Sequence, residues 1–176
     1  DGVNPFVIPA LLMLIYTGAR VSEIATLRWR YVQPPRLQLP DSKTGPKTIY
    51  LNPQAIAVLD GLERRGDELL VFPAMRREAP INLGQYWDRI RRKAALPEVR
   101  LHDLRHSFAS VAVTLRYDLR VIGGLLGHRD SGSTEGYLHL ATSEIRHASE
   151  RVGQHFKAIL KKAAPHPKPR MRPKEA

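Results

Sequence analysis

Leu101–Ser110 reads LHDLRHSFAS and brings His102, Arg105 and His106 close together in sequence. Helix positions three and four apart are neighbours, so Arg105 and His106 can each share a face with His102. Leu104, Phe108 and Val111 then mark the buried side. A cationic face at the mouth of an otherwise apolar helix calls for an anion. That anion could be a structural carboxylate, a bound phosphate or a phosphate being cut.

The overall charge narrows the choice. The chain has 176 residues, with 28 Lys and Arg against 17 Asp and Glu, a formal net charge of +11. Such an excess attracts polyanions, of which nucleic acid is the commonest for a basic domain. An acidic membrane surface fits less well, because no strongly amphipathic basic helix with exposed aromatics stands out. Nonspecific or ribosomal binding is the bland alternative, which charge alone does not separate. No run approaches the ~18 apolar residues of a membrane span. Cysteine is absent, which excludes disulfides and thiolate metal sites and suits a cytoplasmic location. The length suits one well-packed domain.

The elements that must position the cationic stretch follow from periodicity. Phe6–Tyr16 reads as a core helix, with Gly18 as its stop and a second helix opening near Val21–Ser22. Arg20 therefore falls at a junction between helices. Because this opening resembles an internal element, a domain excised from a longer protein is expected. Arg36–Pro40 and Lys47–Leu51 alternate like half-buried strands and form a hairpin whose loop carries Lys43. Helical spacing returns over Pro53–Arg65, ending near Gly66, and Glu68–Pro73 reads as a short extended piece. Ile81–Leu96 is expected to be helical, with Leu83, Trp87 and Ile90 inward and Arg89, Arg91, Arg92 and Lys93 largely outward. Those four charges suit either a DNA-facing stripe or an ordinary solvated face. A short helix is expected near Leu119–Leu126. Thr142–Ala163 reads as a long amphipathic helix with Ile145, Ala148, Val152, Phe156 and Ile159 on one face. The basic, proline-rich tail from Ala164 to Ala176 has little to bury and is expected to be disordered.

Five separated fragments, TGARVSE, SKTG, HDLRH, LLGH and the tyrosine at 137, occur in an order that resembles the catalytic domain of tyrosine recombinases, the phage-integrase family. The resemblance spans about Thr17–His139. It implies that Arg20 and Arg105 are the catalytic arginines, Lys43 the hairpin lysine, and His102 and His128 the catalytic histidines. Tyr137 would be the nucleophile, becoming O-(3′-phospho-DNA)-tyrosine. Glu23 and His106 would support the site, and His139 is left unassigned. Gly136 stands where the family usually has a larger residue.

The residue types suit that chemistry. A phosphodiester cut through a covalent intermediate needs a nucleophile, charge stabilisers and a proton donor for the leaving oxygen. The phenol of Tyr137 has an ordinary pKa of ~10, which neighbouring cations or a base must overcome. Guanidinium groups make paired, charge-assisted hydrogen bonds to phosphate oxygens and stay protonated. His102 and His128 can donate to the phosphoryl oxygens, and His102 can accept the tyrosine proton. Lys43 suits protonation of the departing 5′ oxygen. Taken singly, each residue has a plainer use: Arg20 or His102 as a helix cap, Arg105 as an ion-pair partner of Asp103 or Glu23, Tyr137 as a packed aromatic.

The expected fold class is α+β, mainly helical, with a small antiparallel sheet. Residues 1–163 would form the catalytic domain, and an N-terminal DNA-binding domain would lie outside this chain. The resemblance implies site-specific DNA cleavage and rejoining on double-stranded DNA, in a homotetrameric synapse. Without DNA a monomer is expected. No metal, ATP or other cofactor is called for, since neither a compact ligand cluster nor a Gly-rich phosphate loop is present. A type IB topoisomerase shares much of the set but usually has lysine in place of His102. A DNA-binding regulator without strand exchange is the rival from another class.

Overall fold

Helix α1 (Val7–Thr17) is the hub of the fold. It buries Val7, Ala10, Leu11, Met13, Leu14, Tyr16 and Thr17, so apolar contact surrounds much of its circumference. Pro9 is tolerated because the first-turn N–H groups have no helical partner to lose. Asn4 prepares the entry: its side chain accepts the Phe6 N–H at 2.9 Å and donates to the Pro73 carbonyl at 2.9 Å. The computed structural model describes residues 4–40, 45–75, 77–127 and 138–163.

The exit from α1 is a sharp stop. Gly18 has φ 62° and returns its N–H to the Leu14 carbonyl at 3.0 Å. A β-carbon there would stand 2.5 Å from Cδ1 of Phe108. Gly18→Ala therefore meets both left-handed strain and a ring that must move, and is expected to cost roughly 2–4 kcal/mol. A urea unfolding curve with an unchanged midpoint would contradict this.

After α2 (Val21–Ala25) and a single 3₁₀ turn (Trp29–Tyr31), three short strands form an antiparallel sheet: β1 (Val32–Gln33), β2 (Arg36–Leu39) and β3 (Lys47–Tyr50). The register pairs Leu37 with Ile49 and Leu39 with Lys47. Leu37, Leu39, Lys47 and Ile49 all point inward, so one buried face carries a lysine among aliphatic side chains. The two alternating segments thus pair as the expected hairpin; its loop residues 41–44 lie outside the described residues.

Helix α3 (Pro53–Asp60) starts on Asn52, whose side chain accepts the Ala55 N–H at 2.9 Å, with proline at the first helical position. It stops at Gly61 rather than continuing to Arg65. The intervening residues are drawn into a turn instead, where Arg64 pairs with Asp67 and the chain returns to bridge Arg28 with Leu70. A second ribbon, β4 (Pro73–Ala74) with β5 (Arg77–Pro80), was not expected from the sequence. Helix α4 (Leu83–Lys93) is trimmed at both ends relative to the expected Ile81–Leu96, and Ala95 adopts φ 57° just beyond it.

Helices α5 (Asp103–Thr114), α6 (Leu119–Leu125) and α7 (Leu138–Ala163) build a second apolar cluster from Phe108, Ala112, Val121, Ile122, Leu125, Ala148 and Val152. The long helix packs in cis on α1, α3, α5 and α6. Buried Asn52 donates to the carbonyls of Tyr16 at 2.7 Å and Ser149 at 3.2 Å, tying α1, α3 and α7 at one point. Ala148 and Val152 of the expected inward stripe are fully buried, with Ser149 and Gly153 beside them, and Ile145 and Phe156 pack against the same cluster, whereas Ile159, expected inward, is 45% exposed. The fold is α+β and mainly helical, as its sequence implies. Among the described residues, no helix is long and apolar enough to cross a membrane.

Candidate active site

The N-terminus of α2, the start of β3, the first turns of α5 and the end of α6 meet around one buried carboxylate. Glu23 is 7% exposed and lies at the third position of α2, where its Oε2 accepts the Arg20 backbone N–H at 2.8 Å. This is half of a capping box, made by an acidic side chain at the positive end of a helix. Its Oε1 also accepts from Nη1 of Arg20 at 2.9 Å. Nζ of Lys47 reaches both oxygens, at 2.9 and 2.8 Å. Burial pushes the Glu23 carboxyl up, but hydrogen bonds from Lys47 and Arg20 outweigh it and hold the group below its ordinary value. Burial pushes the Lys47 ammonium down, Glu23 opposes that shift, and the nearby positive charges of Arg105 and Arg20 add to it.

Arg105 completes the cluster from the side of α5. It is 7% exposed, and its Nη1 donates to the Gly18 carbonyl at 2.5 Å while Nη2 donates to the Leu126 carbonyl at 3.0 Å. The guanidinium thus clips the end of α1 to the end of α6. Burial, together with Arg20, pushes it below its ordinary value, and Glu23 partly offsets this. Helix α5 therefore divides the motif that suggested the site. Arg105 and Phe108 face inward, whereas His102 and His106 are exposed and stack edge-to-face with ring centroids 4.8 Å apart. His102 occupies the N-cap position without a capping hydrogen bond. Asp103 engages Arg100, accepting its backbone N–H at 2.7 Å and its guanidinium at 3.0 Å.

Gly127 closes the site at the end of α6. Its φ is 65°, and a β-carbon would stand 2.0 Å from Cε of Lys47. The lysine stem therefore lies directly against the backbone of the residue that precedes His128. Lys43, His128 and Tyr137 fall outside the described residues, as does the side chain of His139.

A model of the phage integrase family matches residues 7–144, which includes every element around Glu23. The chain belongs to the phage integrase family. Among curated relatives, it is 31% identical over 151 residues to tyrosine recombinase XerA of Thermococcus kodakarensis, covering 81% of this chain and 54% of that protein. It is 29% identical over 153 residues to tyrosine recombinase XerD of Vibrio cholerae, covering 78% and 50%. The integrase of mycobacterium phage Brujita superposes with a TM-score of 0.67 at 19% identity, over 86% of this chain and 53% of that one. XerH recombinase, solved as a pre-cleavage complex on its difH substrate, gives a TM-score of 0.55 at 18% identity, over 81% and 48%. The chain spans about half the length of these relatives.

Within this phage integrase domain, sequence reasoning missed the part played by Lys47. The alternation that assigned β3 also assigns Lys47 to the same face as Ile49, which was the available signal. The basic stripe of α4 resolves into two kinds of residue. Arg91 pairs with Asp88 at 2.7 Å and donates to the Pro97 carbonyl, while Arg89, Arg92 and Lys93 are exposed. Among the described residues, no group of three or more His, Cys, Asp or Glu could hold a metal ion.

Proposed function

We propose that this domain cuts and rejoins DNA strands through a covalent 3′-phosphotyrosyl intermediate on Tyr137. One observation carries the reading: three buried or half-buried cations, Arg20, Lys47 and Arg105, converge on a single carboxylate, Glu23. A cluster with that surplus of positive charge is costly unless an anion joins it. A phosphodiester matches the forked geometry of two guanidinium groups.

Tyr137 attacks phosphorus, forming the P–O bond to its phenolic oxygen as the bond to the 5′ oxygen breaks. Arg20 and Arg105 hold the nonbridging oxygens, whose negative charge grows in the transition state. Lys43 delivers a proton to the departing 5′ oxygen, and His102 and His128 donate to the phosphoryl group or take the phenolic proton. The free 5′-hydroxyl of a partner strand reverses the sequence, so the phosphotyrosyl bond conserves the energy of the cut. The exposed Arg89, Arg92 and Lys93 suit the flanking phosphate backbone, which gives affinity and register rather than sequence choice. The solved XerH–difH complex supports DNA as the partner. By the same resemblance, an N-terminal DNA-binding domain completes a clamp and four protomers assemble on two sites.

The test is a nicked suicide duplex, from which the strand beyond the nick diffuses away after cleavage and traps the intermediate. A protein–DNA adduct is expected with the full-length protein on its own site, and proteolysis with mass spectrometry should map it to the peptide containing Tyr137. An adduct on any other residue overturns the mechanism. Binding without any adduct would make the protein a DNA-binding accessory of this fold.

A further inference from the structure

A lysine at an inward strand position needs a reason, because burying an ammonium group is expensive without a partner. Lys47 is 6% exposed and touches two segments of the site at once. Its Nζ occupies both oxygens of Glu23, and its stem supports the backbone of Gly127. The first contact reaches the Arg20 segment; the second reaches the turn that leads into His128 and whose Leu126 carbonyl binds Arg105. We propose that Lys47 is a positioning residue that keeps Arg20 open to the phosphate and joins the Arg20 segment to the turn before His128. The inference rests on the strand-cleavage reading above.

The argument is one of hydrogen-bond capacity. A carboxylate offers about four acceptor positions. Lys47 takes one on each oxygen, the Arg20 backbone N–H takes another, and Nη1 of Arg20 takes the fourth. With Glu23 filled, Arg20 is held by a single side-chain bond, and its remaining guanidinium N–H groups have no partner among the described residues. Remove the ammonium, and both oxygens become open to the planar fork, whose preferred carboxylate contact is bidentate. Arg20 would then turn its donors inward, away from the substrate. Lys47 holds the arginine ready by competing with it.

The experiment compares wild type with Lys47→Met and Lys47→Arg in the full-length protein, at a temperature where circular dichroism shows all three folded. At saturating nicked duplex, Lys47→Met is expected to form adduct at least 30-fold more slowly while DNA affinity changes less than threefold. Lys47→Arg, which keeps a cation on Glu23, should recover most of that loss. The second readout is solvent exchange of the Arg20 guanidinium protons, Nε and Nη together, by NMR, which should be at least tenfold slower for the newly engaged N–H in Lys47→Met because the fork has closed. General loosening of the fold would make exchange faster. An adduct rate within threefold of wild type, or guanidinium exchange that is unchanged or faster at every N–H, overturns the proposal. If wild type forms no adduct, the strand-cleavage reading falls, and guanidinium exchange alone decides the role of Lys47. Should Lys47→Met not fold, Lys47→Gln takes its place, with a tenfold loss expected because its amide can fill only one oxygen.

Discussion

Arg105→Lys is expected to slow adduct formation by on the order of 10³-fold while leaving a folded protein. Removing one well-placed donor from a developing oxyanion typically costs about 10²–10³ in rate. Arg105 is exposed to a further loss, because its orientation depends on two carbonyls set by different helices, Gly18 at the end of α1 and Leu126 at the end of α6. A lysine ammonium can satisfy one of those carbonyls but cannot span both and also present a fork to phosphate. The stability loss should be modest, about 1–3 kcal/mol for one buried carbonyl left without its donor. Arg105→Met should match the rate loss and destabilise more, since both carbonyls are then stranded. Single-turnover adduct assays paired with urea unfolding measure the two effects separately. If Arg105→Lys cleaves within tenfold of wild type, Arg105 merely links helices and does not touch the scissile phosphate.

Glu23→Gln is expected to be the most destabilising single change in the site. Lys47, with a side chain 2% exposed, would lose its only compensating charge among the described residues and be left beside two arginines. Breaking a buried ion pair from one side typically costs about 3–5 kcal/mol. The pH dependence identifies the cause. The carboxyl of Glu23 is held below its unfolded value of ~4.3, so its stabilisation is fully present above that pH. It is lost as pH falls through the lower, folded value. Lys47 is also lowered, by burial first, so the unfolded chain holds the lysine proton more tightly. Stability from that group therefore rises with pH between the folded value and the unfolded value of ~10.4. In Glu23→Gln the acid limb due to this carboxyl should vanish, and the alkaline rise should begin at lower pH, because nothing then opposes the desolvation of Lys47. Thermal unfolding midpoints from pH 3 to 10 would show both; parallel curves for the two proteins would rule out the ion pair as the source.

Much of the architecture was legible because local chemistry and tertiary context agree. Gly18 ends α1 where the apolar run ends, and the two alternating segments pair as β2 and β3 with the inward faces their periodicity implies. Legibility failed where a distant partner decided the outcome. The spacing of His102, Arg105 and His106 allowed one shared face, but carbonyls at Gly18 and Leu126 draw Arg105 inward and leave the histidines outside. Lys47 looks like any strand lysine until α2 brings Glu23 to it from 24 positions away. The β4–β5 ribbon begins and ends in proline, which argues against a strand by propensity, and only pairing with its neighbour makes it one. Helix α3 stops early where the chain beyond it returns to pair its backbone with Leu27, Trp29 and Arg30, a distant partner that periodicity does not register.

The seating of α7 has a mechanical consequence. Helix α7 is gripped at two places where glycine lets another side chain in: Ile145 lies over Gly124 of α6, and its own Gly153 lies over Asn52. At 1.5 Å per residue these grips are roughly 12 Å apart, and Leu138 overhangs the nearer one by roughly 10 Å. A rod held this way acts as a lever with Gly153 as its fulcrum. A push at Ile145 reaches the first residue of the helix amplified about twofold, and that residue is the covalent neighbour of Tyr137. Gly124, which touches no substrate in the proposed mechanism, thus helps fix where the first turn of α7 lies.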